Sequence, residues 1–212
     1  MVFDARSFSS PIVARAAEPD RRRAYSPPMA QKATVCKATV QIADIDRGLY
    51  ADHQLVLARH PSENDERMMV RLLAFCLCVP ADDRDGALEF AKGMWDPDEP
   101  ELWQKDLTGR IVQWIEVGQP EERRLAKASG RADRVSVFAF GTSVASWSAA
   151  LGGRIARARN IALWRIPPEQ SRELATLAAR GMHLQLNRHD GIVSISDETR
   201  SVQVVPERLG SE

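Results

Sequence analysis

Hydrophobic and polar residues begin to alternate at Ala33. ATVCKATVQIADI and then HQLVLARH place apolar side chains at every second position, the period of a half-buried strand. Asp46, Arg47 and Gly48 between them supply a turn, so the two runs predict an antiparallel hairpin. The period then becomes helical. Met69, Leu73 and Leu77 recur at helical spacing with Val70 beside them, which predicts a helix over 63–78. Pro61 closes off the preceding strand, and Ser62 with Asp65 three residues on forms a capping-box pattern.

A polar loop (81–86) leads to a short strand over 88–91 and to an acidic stretch rich in Trp and Pro, MWDPDEPELW. An extended segment over 101–104, a turn over 106–109 and a strong strand over 110–118 follow. A helix over 120–130 comes next, with Pro120 at its first position, where the missing N–H costs nothing. The pattern continues as strand 134–140, helix 143–156, strand 161–166 and helix 168–180. Strands 182–187 and 192–196 flank a turn at His189-Asp190-Gly191, and 202–205 adds one more. Strands alternating with helices through the middle imply parallel members covered by helices, and the strand-rich ends imply antiparallel additions. The expected class is α/β, a mixed central sheet with flanking helices. No internal repeat is visible.

Composition narrows this picture. The 212 residues suffice for one α/β domain with a sizeable core. Residues 1–28 lack periodicity, are rich in Arg, Ser, Ala and Pro, and end in Pro-Pro before Met29. They read as a disordered leader or a start assigned too early, with a single domain over 29–212. Lys+Arg and Asp+Glu both number 29, so the whole-chain field does not steer toward nucleic acid, although a local basic patch remains open. No apolar run approaches the ~20 residues a membrane span needs. The 3 cysteines lie in apolar patterns, which points to reduced core thiols and a cytoplasmic protein, and the 4 histidines show no ligand spacing.

The candidate chemistry lies between Pro100 and Lys127. Glu101 and Glu116 sit on either side of the hairpin turn, where two carboxylates can share a divalent cation. Val112, Trp114 and Glu116 share one strand face, and a carboxylate ending an apolar face is costly unless paired, hydrogen-bonded or on a metal. If the helix folds back along the strand, Lys127 descends about 10 Å from Pro120. Glu116 lies about 7 Å back from Gly118, so the ammonium comes level with its carboxylate. Two acids and a lysine on Mg²⁺ or Mn²⁺ suit phosphodiester hydrolysis. The same spacing also suits a plain Glu116–Lys127 salt bridge. Glu66 lies on the face of Met69 and Val70, aimed at the edge of the core, and equally fits an exposed first-turn acid.

RHPSENDERMMVRLLAF (59–75), DEPELWQKDLTGRIVQWIEVGQPEERRLAKASGRA (98–132) and the ending RSVQVVPERL closely resemble the bacterial YaeQ family, over about 30–209. The family is similar in fold to the PD-(D/E)XK nucleases, whose core is a helix, a three-stranded meander, a helix and a further strand. The resemblance implies that Pro100-Glu101 stands for the PD pair and Glu116 for the D/E. Glu66 would match the acid on the first core helix, and Lys127 would be the catalytic lysine moved from strand to helix. The usual lysine place is Gly118, and a literal Pro97-Asp98 lies just upstream. The implied activity is Mg²⁺-dependent phosphodiester hydrolysis of nucleic acid by Glu66, Glu101, Glu116 and Lys127, with Arg59, Arg67 and Arg71 as phosphate contacts. The alternative is a binding or regulatory protein that keeps the fold and its charged pocket without turnover.

Overall fold

The computed structural model describes residues 33–210; the reading of 1–28 lies outside them. Strand β1 (Thr34–Asp44) pairs antiparallel with β2 (Leu49–Arg59) in unbroken register, from Thr34 opposite Arg59 to Asp44 opposite Leu49. Cys36, Ala38, Val40 and Ile42 are all buried, as the alternation requires. Helix α1 (Asp65–Cys78) is capped by Asn64, whose Oδ1 accepts the Arg67 amide at 2.9 Å, rather than by Ser62. The displaced cap has a local cause. The Glu63 amide bonds back to the His60 carbonyl, so the chain is still turning at Ser62.

Strand β3 (Leu88–Phe90), a 3₁₀ turn (Gly93–Trp95), β4 (Leu102–Lys105) and β5 (Ile111–Val117) follow, then α2 (Glu122–Ser129) and β6 (Ala132–Phe140). The helix expected over 143–156 is two pieces, α3 (Val144–Ala150) and α4 (Gly153–Ala156). They part at Gly152, which is extended and has the Glu122 carboxylate 2.7 Å from where a Cβ would stand. Next come β7 (Ile161–Ile166), α5 (Pro168–Leu174), a 3₁₀ turn (Ala175–Leu177), β8 (Gly181–His189), β9 (Ile192–Ser196), β10 (Ser201–Val204) and β11 (Glu207–Leu209).

These strands form two mixed sheets instead of the single central sheet expected. One runs β10-β9-β8-β1-β2, with β8 parallel to β1, and the other runs β11-β7-β6-β5-β4-β3, with β5, β6 and β7 parallel. The reason lies in α1. Every residue from Met68 to Cys76 is buried, all of them apolar except Arg71, and a helix buried all round needs cover on all its sides. One core joins Leu57, Leu184 and Val193 of the first sheet, Met69 and Leu73 of α1, and Leu102, Ile115 and Val117 of the second. A second core lies on the other face of the second sheet, where Trp114 and Val135 pack with Leu125 and Ala128 of α2. Strand β5 is therefore buried at every position. No helix among the described residues is long and apolar enough to cross a membrane.

Candidate carboxylate–arginine site

Glu101 leads into β4. Its amide donates to the Ile115 carbonyl at 3.1 Å, which sets it beside the end of β5 that carries Glu116. Its side chain is 3% exposed. Gly93, at φ +51, makes the approach possible, because a Cβ there would stand 2.7 Å from the Glu101 carboxyl carbon. Two arginines of α1 answer the buried charge. Arg67 donates to Oε1, and the Arg71 guanidinium stands 3.7 Å from Oε2. Arg71 also donates to Glu63 Oε2 at 3.1 Å and to the Ala58 carbonyl at 3.2 Å, so helix, hairpin and carboxylate are tied together.

Glu116 is 3% exposed and faces α2. Its Oε1 accepts Trp114 Nε1 and Arg124 Nε, both at 2.7 Å. The Arg124 fork then reaches the carbonyls of Pro97 at 2.7 Å and Glu99 at 2.6 Å, which fastens the 97–99 loop to α2. Burial pushes the Glu116 carboxyl up from its ordinary value; the bonds from Arg124 and Trp114 oppose the rise, and the Glu101 charge adds to it. Glu63 is likewise pushed up, first by burial and against the pull of Arg71.

Both carboxylates open onto one cleft of about 330 Å³, which Arg67 and Arg124 also line. Arg67 enters it in a telling place. Gly118 has φ +98, and a Cβ on it would meet Arg67 Nη1 at 2.8 Å. The position where the nuclease pattern puts its strand lysine is thus faced by a guanidinium from α1. Glu101 Oε2 is buried with no hydrogen-bond partner among the described residues. It is a hard oxygen donor with the Arg71 guanidinium 3.7 Å away, and Mg²⁺ is commonly held by one or two carboxylates with substrate phosphates completing its shell. Two carboxylates fit that requirement. No group of three acidic, His or Cys side chains placed to hold a metal occurs among the described residues.

The other expected residues lie elsewhere. Lys127 pairs with the Asp98 carboxylate, and the cation bonded to Glu116 is Arg124, one helical turn earlier on α2. Lysine does not make the predicted salt bridge because Arg124 lies nearer the helix start, where its longer fork spans both the strand carboxylate and the loop carbonyls. Asp98 of the literal Pro97-Asp98 is exposed and faces Lys127. Glu66 accepts Ser171 Oγ at 2.6 Å, which turns it toward α5 and away from the lining of the cleft. Arg59 is held by Asp65 at 2.6 Å and by the Glu63 carbonyl at 2.8 Å. Sequence reasoning missed Arg124 and Gly93. The first had a signal, since it shares a helix face with Lys127; Gly93 had none.

The sequence profile described as YaeQ protein matches residues 29–206. The chain is similar to YaeQ of Escherichia coli (strain K12), 40% identical over 177 residues that span 83% of this chain and 95% of the relative. YaeQ of Salmonella typhi matches with the same identity and coverage. The fold is similar to the crystal structure of YaeQ from Xanthomonas axonopodis pv. citri, with TM-score 0.79 and 41% identity over 85% of this chain and 99% of that one. It is also similar to that from Pseudomonas syringae, with TM-score 0.77 and 34% identity over 85% and 97% of the two chains.

Proposed function

Since this chain belongs to the YaeQ family, we propose that its carboxylate–arginine cleft is a phosphodiester site of PD-(D/E)XK type that takes nucleic acid. The observation that carries the reading is the meeting of Glu101 and Glu116, both buried, with Arg67 and Arg124 at one open cleft. Unpaired buried acids are expensive, and cleft acids flanked by cations are the usual furniture of phosphoryl chemistry. The element order supports it too. Helix α1, the antiparallel meander β3-β4-β5, helix α2 and the parallel strand β6 follow the core order of those nucleases.

In this reading Glu101 and Glu116 would hold Mg²⁺ or Mn²⁺, which would supply charge neutralisation and Lewis-acid polarisation of the phosphate. Arg67 takes a non-bridging phosphate oxygen, for which a guanidinium fork is well shaped, while Arg124, its fork held by the Pro97 and Glu99 carbonyls, orients Glu116 and adds positive charge to the cleft. Arg67 does from the helix what a lysine at position 118 does from the strand. Lys127, by holding Asp98, and Glu66, by holding Ser171, position the 97–99 loop and α1. The test is cleavage of a panel of DNA and RNA substrates with Mg²⁺ or Mn²⁺. Wild type cuts at least one, and Glu116→Ala reduces the rate by at least about a hundredfold. Equal cutting by both proteins would sink the reading.

A second reading, binding without turnover, draws on one observation: each acid already has an arginine partner. It expects no metal-dependent cleavage by wild type, no heat on calorimetric titration with Mg²⁺, and weaker nucleic-acid binding by Arg124→Ala.

A further inference from the structure

We infer that the rim of this cleft carries a base-stacking platform, so that the nucleic acid it takes is single-stranded. The inference rests on the phosphodiester reading above and names its substrate class. The 3₁₀ turn Gly93–Trp95 is the piece of chain that links the two. Gly93 lies against the Glu101 carboxylate, Met94 and Pro97 line the cleft, and Trp95 lies between those two in the chain. Met94 is 41% and Trp95 46% exposed, two large apolar side chains in water on the turn that borders the cleft.

The platform is rigidly mounted. The Gly93 amide bonds to the Pro100 carbonyl at 2.9 Å, Trp95 to Lys92 at 3.0 Å and Asp96 to Gly93 at 3.2 Å. On one side the indole meets the His60 ring in a T-shaped contact, with centroids 4.4 Å apart, and the His60 Nδ1 is itself fixed by the Ser62 amide at 3.1 Å. The acidic loop around the turn is partly neutralised: Asp98 pairs with Lys127, and Lys92 is shared between Asp96 and Glu99 at 3.8 and 3.2 Å, so two lysines offset two of the three acidic charges.

An exposed indole on the segment that borders a cleft lined by guanidinium groups is an arrangement by which proteins hold unpaired bases: every base has a π-face, so stacking tolerates any sequence. Bases inside a duplex cannot reach such a surface without being flipped out of the stack.

The experiment is fluorescence anisotropy in EDTA, which prevents cutting, with a short labelled oligothymidylate, its ribo counterpart and a duplex of the same length. Wild type binds at least one of the single strands more tightly than the duplex. Trp95→Ala weakens that binding about tenfold and Trp95→Phe restores most of it, in line with the worth of one stacked base. Equal affinity for duplex and single strand, no binding of either single strand, or no loss in Trp95→Ala would each overturn the inference. The two readings can fail separately. Duplex cleavage lost in Glu116→Ala, with binding indifferent to Trp95, would remove only the stacking platform. Trp95-dependent binding without any metal-dependent cleavage would keep the platform and remove hydrolysis.

Discussion

Glu116 sits where burial, more than its neighbours, sets its proton affinity. The folded state holds that proton more tightly than the unfolded chain, whose value is near 4.5. The sign follows from linkage. The contribution to stability is full below about 4.5 and is lost as pH rises through the higher folded value. Glu116→Gln has no such titration. Urea midpoints measured across this range are therefore expected to show wild type losing ground to the variant as pH rises above about 4.5. Glu63, raised for the same reason, titrates in both proteins and cancels in the difference. A difference independent of pH would contradict the burial of this charge. The acids themselves were legible in the sequence, Glu116 because it ends an apolar strand face. Which cation pairs with it was not, because Arg124 and Lys127 project from the same side of one helix and only the loop carbonyls of Pro97 and Glu99 separate them.

Strand β5 and helix α1 meet at Gly118, and the contact disfavours any side chain there. A side chain at φ +98 is strained, and its Cβ would press on the Arg67 guanidinium. Installing the lysine of the nuclease pattern by Gly118→Lys is expected to destabilise the protein by about 1–3 kcal/mol and to displace Arg67 from Glu101. Urea unfolding measures the first effect. A variant as stable as wild type would mean that position 118 does not need the left-handed backbone described. The elements on either side were mostly readable. Strands over 161–166 and 192–196 stand where periodicity put them. Helix 143–156 did not survive intact, because a continuous polar–apolar period says nothing of a carboxylate packed against Gly152.

Both sheets depend on the same helix, so they are expected to unfold together. All 5 tryptophans belong to the second sheet and its connections, at positions 95, 103, 114, 147 and 164. Tryptophan fluorescence therefore reports that sheet, while far-UV circular dichroism reports both. Coincident denaturation midpoints are the expected result, since one core spans α1 and the inner faces of both sheets. Separate midpoints would show that the first sheet, with its β1–β8 pairing, has a core of its own.

Periodicity, turn residues and the long matching motifs are local properties, and from them the sequence alone determined the kinds and order of most elements, the hairpin, the acids at the β4 and β5 ends, and the family. Partner choice is not local. Lys37 stands beside Gly181 and Glu101 accepts from Arg67 only because the chain folds back on itself. The tertiary structure alone decided that α1 is enclosed between two sheets and that arginines rather than Lys127 attend the two acids. Burial, which makes an uncompensated charge expensive, selected those partners from several that spacing allowed.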